Sequence, residues 1–152
     1  MIDNMVGEYM VRSVKVASPD MTVDDALTFI QELRIRHLPV VRDRRLVGLV
    51  SERDLLAARA RNAKVAEVMA KRVYVARSTT PVSQVAAEMA DNKYGSAVIV
   101  DPQNHVLGIF TTTDALRIIA ALDELDPVLS YMMEDEDWIA EEEFDDQEFA
   151  AR

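Results

Sequence analysis

The stretch GLVSERD at residues 48–54 returns as GIFTTTD at residues 108–114. Each copy has a glycine, two apolar residues, a hydroxyl residue, two variable residues and an aspartate, so that Asp54 and Asp114 are 60 residues apart. An apolar run followed by Ser/Thr-x-x-Asp is typical of a strand that turns into a capped helix. The sequence therefore predicts the same strand-to-helix turn twice in one chain.

The repetition extends back toward the N-terminus. VGEYM at residues 6–10 matches VAEVM at 65–69, and VKVA at 14–17 matches VYVA at 73–76, both at an offset of 59 residues. A period of this length indicates a supersecondary unit that occurs twice and buries its apolar surface against its copy. The chain therefore contains an internal repeat.

This repeat divides the chain into three parts. We expect the first repeat at residues 1–62, the second at 63–122, and an acidic C-terminal extension at 123–152 that is partly helical or disordered. Of the 27 acidic residues, 13 lie between Asp123 and Glu148, which leaves 14 acidic against 16 basic residues in the two repeats. The net charge of -10 therefore belongs to the extension, and the repeats are nearly neutral.

Each repeat is predicted to run strand, helix, strand, strand, helix. In the first repeat Thr22 begins the helix with Asp25 at the capping-box position, and the charged turn at 42–45 separates the two strands of a hairpin. In the second repeat Thr80 and Pro81 begin the helix, with the proline in its first turn. The apolar stripes of the two helices are Ala26, Leu27, Ile30 and Leu33, then Val82, Val85, Ala86 and Met89.

Strands this short, with helices on one side, cannot exclude water from both of their faces. Two such units are therefore expected to pack sheet to sheet around a pseudo-twofold axis, which gives an α/β (α+β) fold of two β-α-β-β-α repeats. An axis of this kind creates two related clefts between the repeats.

The repeated aspartates supply chemistry that suits a nucleotide. A helix N-terminus presents unpaired N–H groups and a partial positive charge, which favour a phosphate. Asp54 and Asp114 can accept hydrogen bonds from both hydroxyls of a ribose, with Ser51 and Thr111 as further contacts. The same spacing is also a helix cap that needs no ligand, so a purely structural role stays open.

Together with IRHLPV at residues 35–40 and the Val-x-x-x-Met opening of each repeat, these residues resemble the cystathionine beta-synthase (CBS) domain family. The resemblance covers about residues 5–122. It implies a tandem CBS pair, or Bateman module, that binds AMP, ADP, ATP or S-adenosylmethionine in the clefts between its repeats. It also implies a regulatory role toward an enzyme, transporter or channel, and a homodimer where the pair stands alone.

The family's site positions carry over to this sequence residue by residue. Asp54 and Asp114 match its ribose-binding acids, while Arg36 and His37 lie where some nucleotide-binding members place basic residues against phosphate. Two valine-alanine pairs match backbone positions that frame the base. The candidate nucleotide-binding residues are Val16, Ala17, Arg36, His37, Pro39, Ser51, Arg53, Asp54, Val75, Ala76, Thr111, Thr113 and Asp114.

The second repeat departs from the family pattern. The counterpart of Arg36-His37 is predicted to be Tyr94-Gly95, and Thr113 replaces Arg53. Fewer cationic groups are therefore available to hold a phosphate there. We expect two unequal clefts.

Several functional classes lack the residues that they need. The chain has no cysteine, and His37 and His105 lack a ligand cluster at metal-site spacing, so no metal is expected. No nucleophile lies beside a base and no Gly-rich phosphate loop occurs, which argues against an enzyme.

Nucleic acid and membrane are not expected as partners either. Nearly neutral repeats make a poor surface for DNA or RNA, and no apolar run approaches the roughly 18 residues that a membrane span needs. The start, Met1-Ile2-Asp3-Asn4, does not have the pattern of a signal peptide. We therefore expect a cytoplasmic protein that requires no cofactor, with an adenosyl-containing small molecule as its regulatory ligand.

One other function fits the sequence. The two Ser/Thr-x-x-Asp turns can serve as helix caps in a ligand-free dimeric scaffold. Residues 134–148 mix acidic residues with Trp138, Ile139 and Phe144, a composition typical of segments that fold on a partner. In this alternative the acidic tail recruits a protein partner.

Overall fold

The computed structural model describes residues 4–123, with side chains to residue 122. The chain clusters into two units, residues 1–115 and 116–152. The acidic extension was predicted for residues 123–152, and all of it beyond Asp123 lies outside the described residues. The helices are α1 (Val23–Leu33), α2 (Glu52–Leu56), α3 (Val65–Val68), α4 (Val82–Asn92) and α5 (Thr112–Asp123), and the strands are β1 (His37–Arg42), β2 (Arg45–Ser51), β3 (Val75–Ala76), β4 (Ser96–Val100) and β5 (Val106–Thr111).

The helices α1 and α4 follow the predicted apolar stripes. Thr22 caps α1 as predicted, and its Oγ1 accepts a hydrogen bond from the Asp25 N–H at 3.1 Å. Pro81 takes the cap position of α4 with an extended ψ of 134°, so its predicted place in the first helical turn is wrong by one residue. Leu33 lies at the end of α1 with 36% of its surface exposed. The other stripe residues are buried, apart from the half-buried Ala86.

Two antiparallel hairpins form the sheets, as predicted. β1 pairs with β2 through a turn in which Asp43 and Arg44 have φ values of 50° and 67°, typical of a type I′ turn. β4 pairs with β5, and β3 joins β4 in parallel.

The predicted first strand of the first repeat is reduced to a single bridge between Ala17 and Val40. In the second repeat the Val98 N–H donates to the Tyr74 carbonyl at 3.0 Å. Pro39 stands at the position of Val98 and has no N–H to donate, so the corresponding ladder bond cannot form. The α+β fold of two repeats is otherwise confirmed.

The segments that open the two repeats exchange places. Val11, from the first repeat, pairs with Ile109 of the second, and its N–H donates to the Ile109 carbonyl at 2.8 Å. Ala70, from the second repeat, pairs with Leu49 of the first, and its N–H donates to the Leu49 carbonyl at 2.8 Å. The two repeats are therefore interlocked through two equivalent contacts.

Both repeated glycines lie under these exchanged segments. A Cβ added to Gly48 would lie 2.5 Å from the sulfur of Met69, and one added to Gly108 would lie 2.5 Å from the sulfur of Met10. Real Cβ atoms do not approach other atoms so closely, because overpacking forces neighbours to move. Met10 of the first repeat therefore leaves no room for a side chain at Gly108 of the second, and Met69 of the second leaves none at Gly48 of the first.

The core contains corresponding pairs from the two hairpins. Leu38 pairs with Val50 across β1 and β2, and Ala97 pairs with Phe110 across β4 and β5. All four residues are fully buried, at 0% exposure. Val65 joins the core cluster of the first repeat although it belongs to the second in sequence, which is a consequence of the exchange.

Candidate functional site

Ser51 and Asp54 form a reciprocal cap at the start of α2. The Ser51 N–H donates to Asp54 Oδ2 at 2.9 Å, and the Asp54 N–H donates to Ser51 Oγ at 3.1 Å. Asp54 Oδ1 makes no hydrogen bond within the described residues, and the side chain is half-buried. The cap therefore uses one carboxylate oxygen and leaves the other able to accept hydrogen bonds from a ligand.

Thr111 and Asp114 repeat this turn at the start of α5 in a more closed form. The N–H and the hydroxyl of Thr111 both donate to Asp114 Oδ2 at 2.8 Å. The Asp114 side chain is buried, with 7% of its surface exposed. The two predicted turns are thus present, but Asp54 is the more accessible of the two carboxylates.

In the second repeat, the residues that correspond to Arg36-His37 lie one position later in the chain than predicted. The helices α1 and α4 both end on a left-handed residue, Arg34 with φ 54° and Lys93 with φ 57°. Counting from these residues, the counterpart of Arg36-His37 is Gly95-Ser96, and the predicted Tyr94-Gly95 is wrong. The additional residue that raises the offset from 59 to 60 comes later, in the turn between β4 and β5.

His37 lies where the two repeats meet. A Cβ added to Gly95 would lie 3.0 Å from His37 Cε1 and 3.1 Å from its Nε2, so the imidazole fills the space of a side chain there. Burial lowers the pKa of His37 below its ordinary value of 6.5, Asp54 opposes this shift, and Arg36 adds to it. The imidazole is therefore mostly neutral at pH 7 and is coupled to the Asp54 charge.

The remaining predicted polar residues surround the start of each helix. The Arg36 carbonyl accepts a hydrogen bond from the Glu52 N–H at 2.9 Å, which fixes the Arg36 backbone beside α2, and its side chain is exposed. Arg53 and Thr113 are exposed in the first turns of α2 and α5. Arg36 and Arg53 thus belong to the exposed surface at the start of α2, and His37 pairs across the hairpin with Ser51, the residue that caps this helix.

The base-framing residues divide between core and surface. Ala17 and Ala76 are buried, whereas Val16 and Val75 are 40% and 42% exposed. Pro39 is buried in β1, and its carbonyl accepts a hydrogen bond from the Ala17 N–H at 2.9 Å. In each repeat the valine is therefore the residue available to a ligand.

Two surface hollows include these valines. The larger, of about 480 Å³, is lined by Tyr74, Val75, Ala76, Arg77, Thr80, Gln84, Glu88, Val100, Asp101, Pro102 and Asn104. The smaller, of about 450 Å³, is lined by Val16, Val41, Arg44, Asp101, His105, Val106 and Leu107. Neither hollow is lined by Asp54 or Asp114, so the structure does not join the base-framing valines and the carboxylates in one cavity.

An aromatic pair beside the larger hollow was missed by sequence reasoning. Tyr74 and Tyr94 stack with their ring centroids 5.4 Å apart and their planes at 21°. Burial raises the pKa of Tyr74, with smaller contributions from Glu88 and Tyr94, so its phenol stays protonated. The match of VKVA with VYVA showed a tyrosine at position 74, but no sequence spacing indicates that Tyr94 contacts it.

Neither a metal cluster nor a membrane span is found in residues 4–123. No group of three or more His, Asp or Glu side chains in this part of the chain is placed to hold a metal ion. The described helices are all too short or too polar to cross a bilayer.

The chain belongs to the CBS domain family, since the family model matches residues 6–61 and again residues 65–121. Its interlocked repeats are similar to the CBS pair of protein MJ0100 in complex with 5′-methylthioadenosine and S-adenosylmethionine, with a TM-score of 0.72 and 28% identity over 78% of this chain and 97% of that one. CBSX2 in complex with AMP is similar with a TM-score of 0.73 and 28% identity over 79% of this chain and 98% of that one.

Curated relatives include longer proteins. Inosine-5′-monophosphate dehydrogenase of Methanocaldococcus jannaschii is 33% identical over 111 residues, which are 72% of this chain and 22% of that enzyme. The chain spans less than half the length of the first three curated relatives that it matches. The similarity therefore concerns the CBS pair and not the remainder of those proteins.

Proposed function

We propose that this chain is a non-catalytic regulatory module that binds an adenine nucleotide or S-adenosylmethionine between its two CBS repeats. The observation that carries the proposal is the doubled Ser/Thr-x-x-Asp turn, with each aspartate in the first turn of a helix. Support comes from the similar CBS pairs that hold AMP, or 5′-methylthioadenosine and S-adenosylmethionine.

Asp54 is proposed to bind the ribose of the ligand. Its Oδ2 remains engaged with the Ser51 N–H, while its Oδ1 accepts a hydrogen bond from a ribose hydroxyl. Because the acceptor is charged, such a bond is stronger than one between neutral groups. Arg36, His37 and Arg53 surround this turn and supply positive charge or hydrogen-bond donors for a phosphate.

The cleft of Asp114 is proposed to bind the ligand more weakly than the cleft of Asp54. Asp114 is buried, and the Thr111 hydroxyl donates to its Oδ2. Gly95-Ser96 at the position of Arg36-His37 brings no cation. Ligand binding at the first cleft would then change the arrangement of a homodimer that another protein recognises, provided that the ligand binds one arrangement better than the other.

Titration calorimetry with AMP, ATP, S-adenosylmethionine and NAD tests this function. Loss of a charged hydrogen bond, as in Asp54→Ala, should weaken the tightest ligand by roughly 10- to 150-fold, corresponding to about 1.5–3 kcal/mol. Asp54→Asn is the matched control, since it keeps an acceptor for the Ser51 N–H but removes the charge. Failure of all four ligands to bind at millimolar concentration would contradict the proposal.

A ligand-free scaffold is the second candidate, and the completed cap at Ser51 and Asp54 favours it. Loss of this cap should cost about 0.5–2 kcal/mol of stability in either case. In a scaffold Asp54→Ala would lower the melting temperature with no effect on any ligand. Deletion of residues 134–152 would then abolish capture of the protein partner, which a pure ligand sensor would not require.

A further inference from the structure

The stacked pair Tyr74–Tyr94 joins two elements of the second repeat. Tyr74 directly precedes β3, and Tyr94 follows Lys93, the residue that ends α4. Offset aromatic pairs of this kind are favourable beyond the area that they bury. The contact therefore holds the Tyr74 ring in a defined place at the edge of the sheet.

This pair connects the base-framing residues of the second repeat with the junction between the repeats. Tyr74 lines the larger hollow together with Val75 and Ala76. Tyr94 is followed in the chain by Gly95, which packs against His37. His37 pairs across β1 and β2 with Ser51, whose N–H donates to Asp54 Oδ2. The hollow, the tyrosine pair, His37 and the Ser51–Asp54 cap are therefore neighbours in turn, although Asp54 does not itself line the hollow.

The first repeat has no aromatic ring at the corresponding positions. Lys15 stands at the position of Tyr74, and Ile35 stands at the position of Tyr94. Lys15 is exposed and Ile35 is half-buried. An aromatic surface is therefore available on one side of the pseudo-twofold axis and not on the other.

We infer that Tyr74, held by Tyr94, is the stacking surface for the base of the ligand and makes the cleft of Asp54 the tighter of the two. This inference rests on the proposed nucleotide-binding function. Every nucleobase has a π face, so stacking favours ligands with a flat base over the sugar phosphate alone. It discriminates little between adenine and guanine, which must be distinguished by other groups.

Calorimetry with AMP and with ribose 5-phosphate tests the role of Tyr74. Base–aromatic stacking is worth enough that Tyr74→Leu should weaken AMP by about 5- to 150-fold. Ribose 5-phosphate, which has no base, should bind the variant as it binds the wild type. Tyr74→Phe keeps the aromatic face and should stay within about twofold of the wild type for AMP.

Two further variants keep the test decisive. Lys15→Leu changes the corresponding position of the first repeat and should leave the tightest AMP site unchanged. Tyr94→Leu removes the support of the Tyr74 ring and should weaken AMP binding less than Tyr74→Leu does. If Tyr74→Leu does not fold, as judged by thermal unfolding, Tyr94→Leu provides the loss of AMP affinity in its place.

The outcomes separate this inference from the proposed function. Equal AMP affinities of the wild type, Tyr74→Leu and Tyr94→Leu would overturn the stacking role and leave nucleotide binding intact. An equal loss for Tyr74→Phe and Tyr74→Leu would also overturn it, because the aromatic face would not matter. If the wild type binds neither AMP, ATP, S-adenosylmethionine nor NAD, the proposed function fails and this inference fails with it.

Discussion

In the first repeat His37 begins β1 at the junction of the repeats, whereas in the second Ser96 begins β4 at the equivalent position. The Ser96 hydroxyl is buried and has no hydrogen-bond partner in residues 4–123, while the His37 ring packs against Gly95. The opposite holds for the aromatic pair Tyr74–Tyr94, which only the second repeat has, because the first repeat has no ring at either corresponding position.

The two repeats share their backbone arrangement but differ in the side chains at the candidate site. The exchange of opening segments is equivalent on both sides, since Val11 pairs with Ile109 as Ala70 pairs with Leu49. Backbone hydrogen bonds and glycine packing are therefore held in common, while side chains at the clefts have diverged. A chain that carries both repeats can thus keep one fold and still present two chemically different clefts.

The largest expected effect comes from the core pairs. Phe110→Ala should cost about 3–5 kcal/mol, because its cross-strand partner Ala97 is too small to fill the space that is left. Val50→Ala, at the corresponding position, should cost less because fewer atoms are removed and Leu38 remains opposite. Urea unfolding measures both changes.

Equal losses for Phe110→Ala and Val50→Ala would contradict this account of the two cores. The double variant Ala97→Leu/Phe110→Val copies the pair of the first repeat into the second and serves as a control. It should recover part of the stability lost in Phe110→Ala, because it restores side-chain volume.

The next effect concerns the glycines under the exchanged segments. Each glycine faces the same two obstacles. A Cβ at Gly108 would lie 2.5 Å from the Met10 sulfur and 2.9 Å from the Val11 carbonyl oxygen, and one at Gly48 would lie 2.5 Å from the Met69 sulfur and 3.0 Å from the Ala70 carbonyl oxygen. Gly108→Ala and Gly48→Ala should therefore each cost about 1–3 kcal/mol, because the two glycines have equivalent surroundings.

Thermal unfolding of the two glycine variants checks that their costs are equal. Met69→Ala combined with Gly48→Ala removes the sulfur that the new Cβ would meet. The further cost of Gly48→Ala should therefore be smaller in the Met69→Ala background than in the wild type. A clearly larger cost for one of the two glycine variants would contradict the equivalence of the two exchanged segments.

The sequence predicted what short spacings determine. Ser51 and Asp54 are three residues apart, so the cap that they form depends on local backbone alone. The exchange of segments and the contact of His37 with Gly95 depend on residues that are far apart in the chain, and no periodicity reports them. The missing strand at Ala17 follows from one proline, Pro39, whose effect appears only when its cross-strand partner is known.

The alignment error at Tyr94-Gly95 has a related cause. Two repeats that match at offsets of 59 and 60 contain one additional residue, and the sequence does not fix where it lies. The left-handed ends of α1 and α4, at Arg34 and Lys93, place it after the cationic positions. The stacked tyrosines were missed for the same reason as the contact of His37, because they join the residue before β3 to the residue that follows the end of α4.

The smallest expected effect is a pH dependence that one repeat has and the other lacks. Because burial lowers the pKa of folded His37 below 6.5, the unfolded chain binds more protons as the pH falls through 6.5 toward the lowered value. His37 therefore favours the folded state fully above pH 6.5, and this contribution is lost below it, by no more than about 1.4 kcal/mol per pH unit.

His37→Ser gives the first repeat the residue that the second has at Ser96, and urea unfolding at pH 7.5 and 5.5 should show a smaller loss of stability in the variant. His105 is present in both proteins, so its contribution is common to both measurements. A loss as large in His37→Ser as in the wild type would mean that the imidazole at the junction titrates as it does in water.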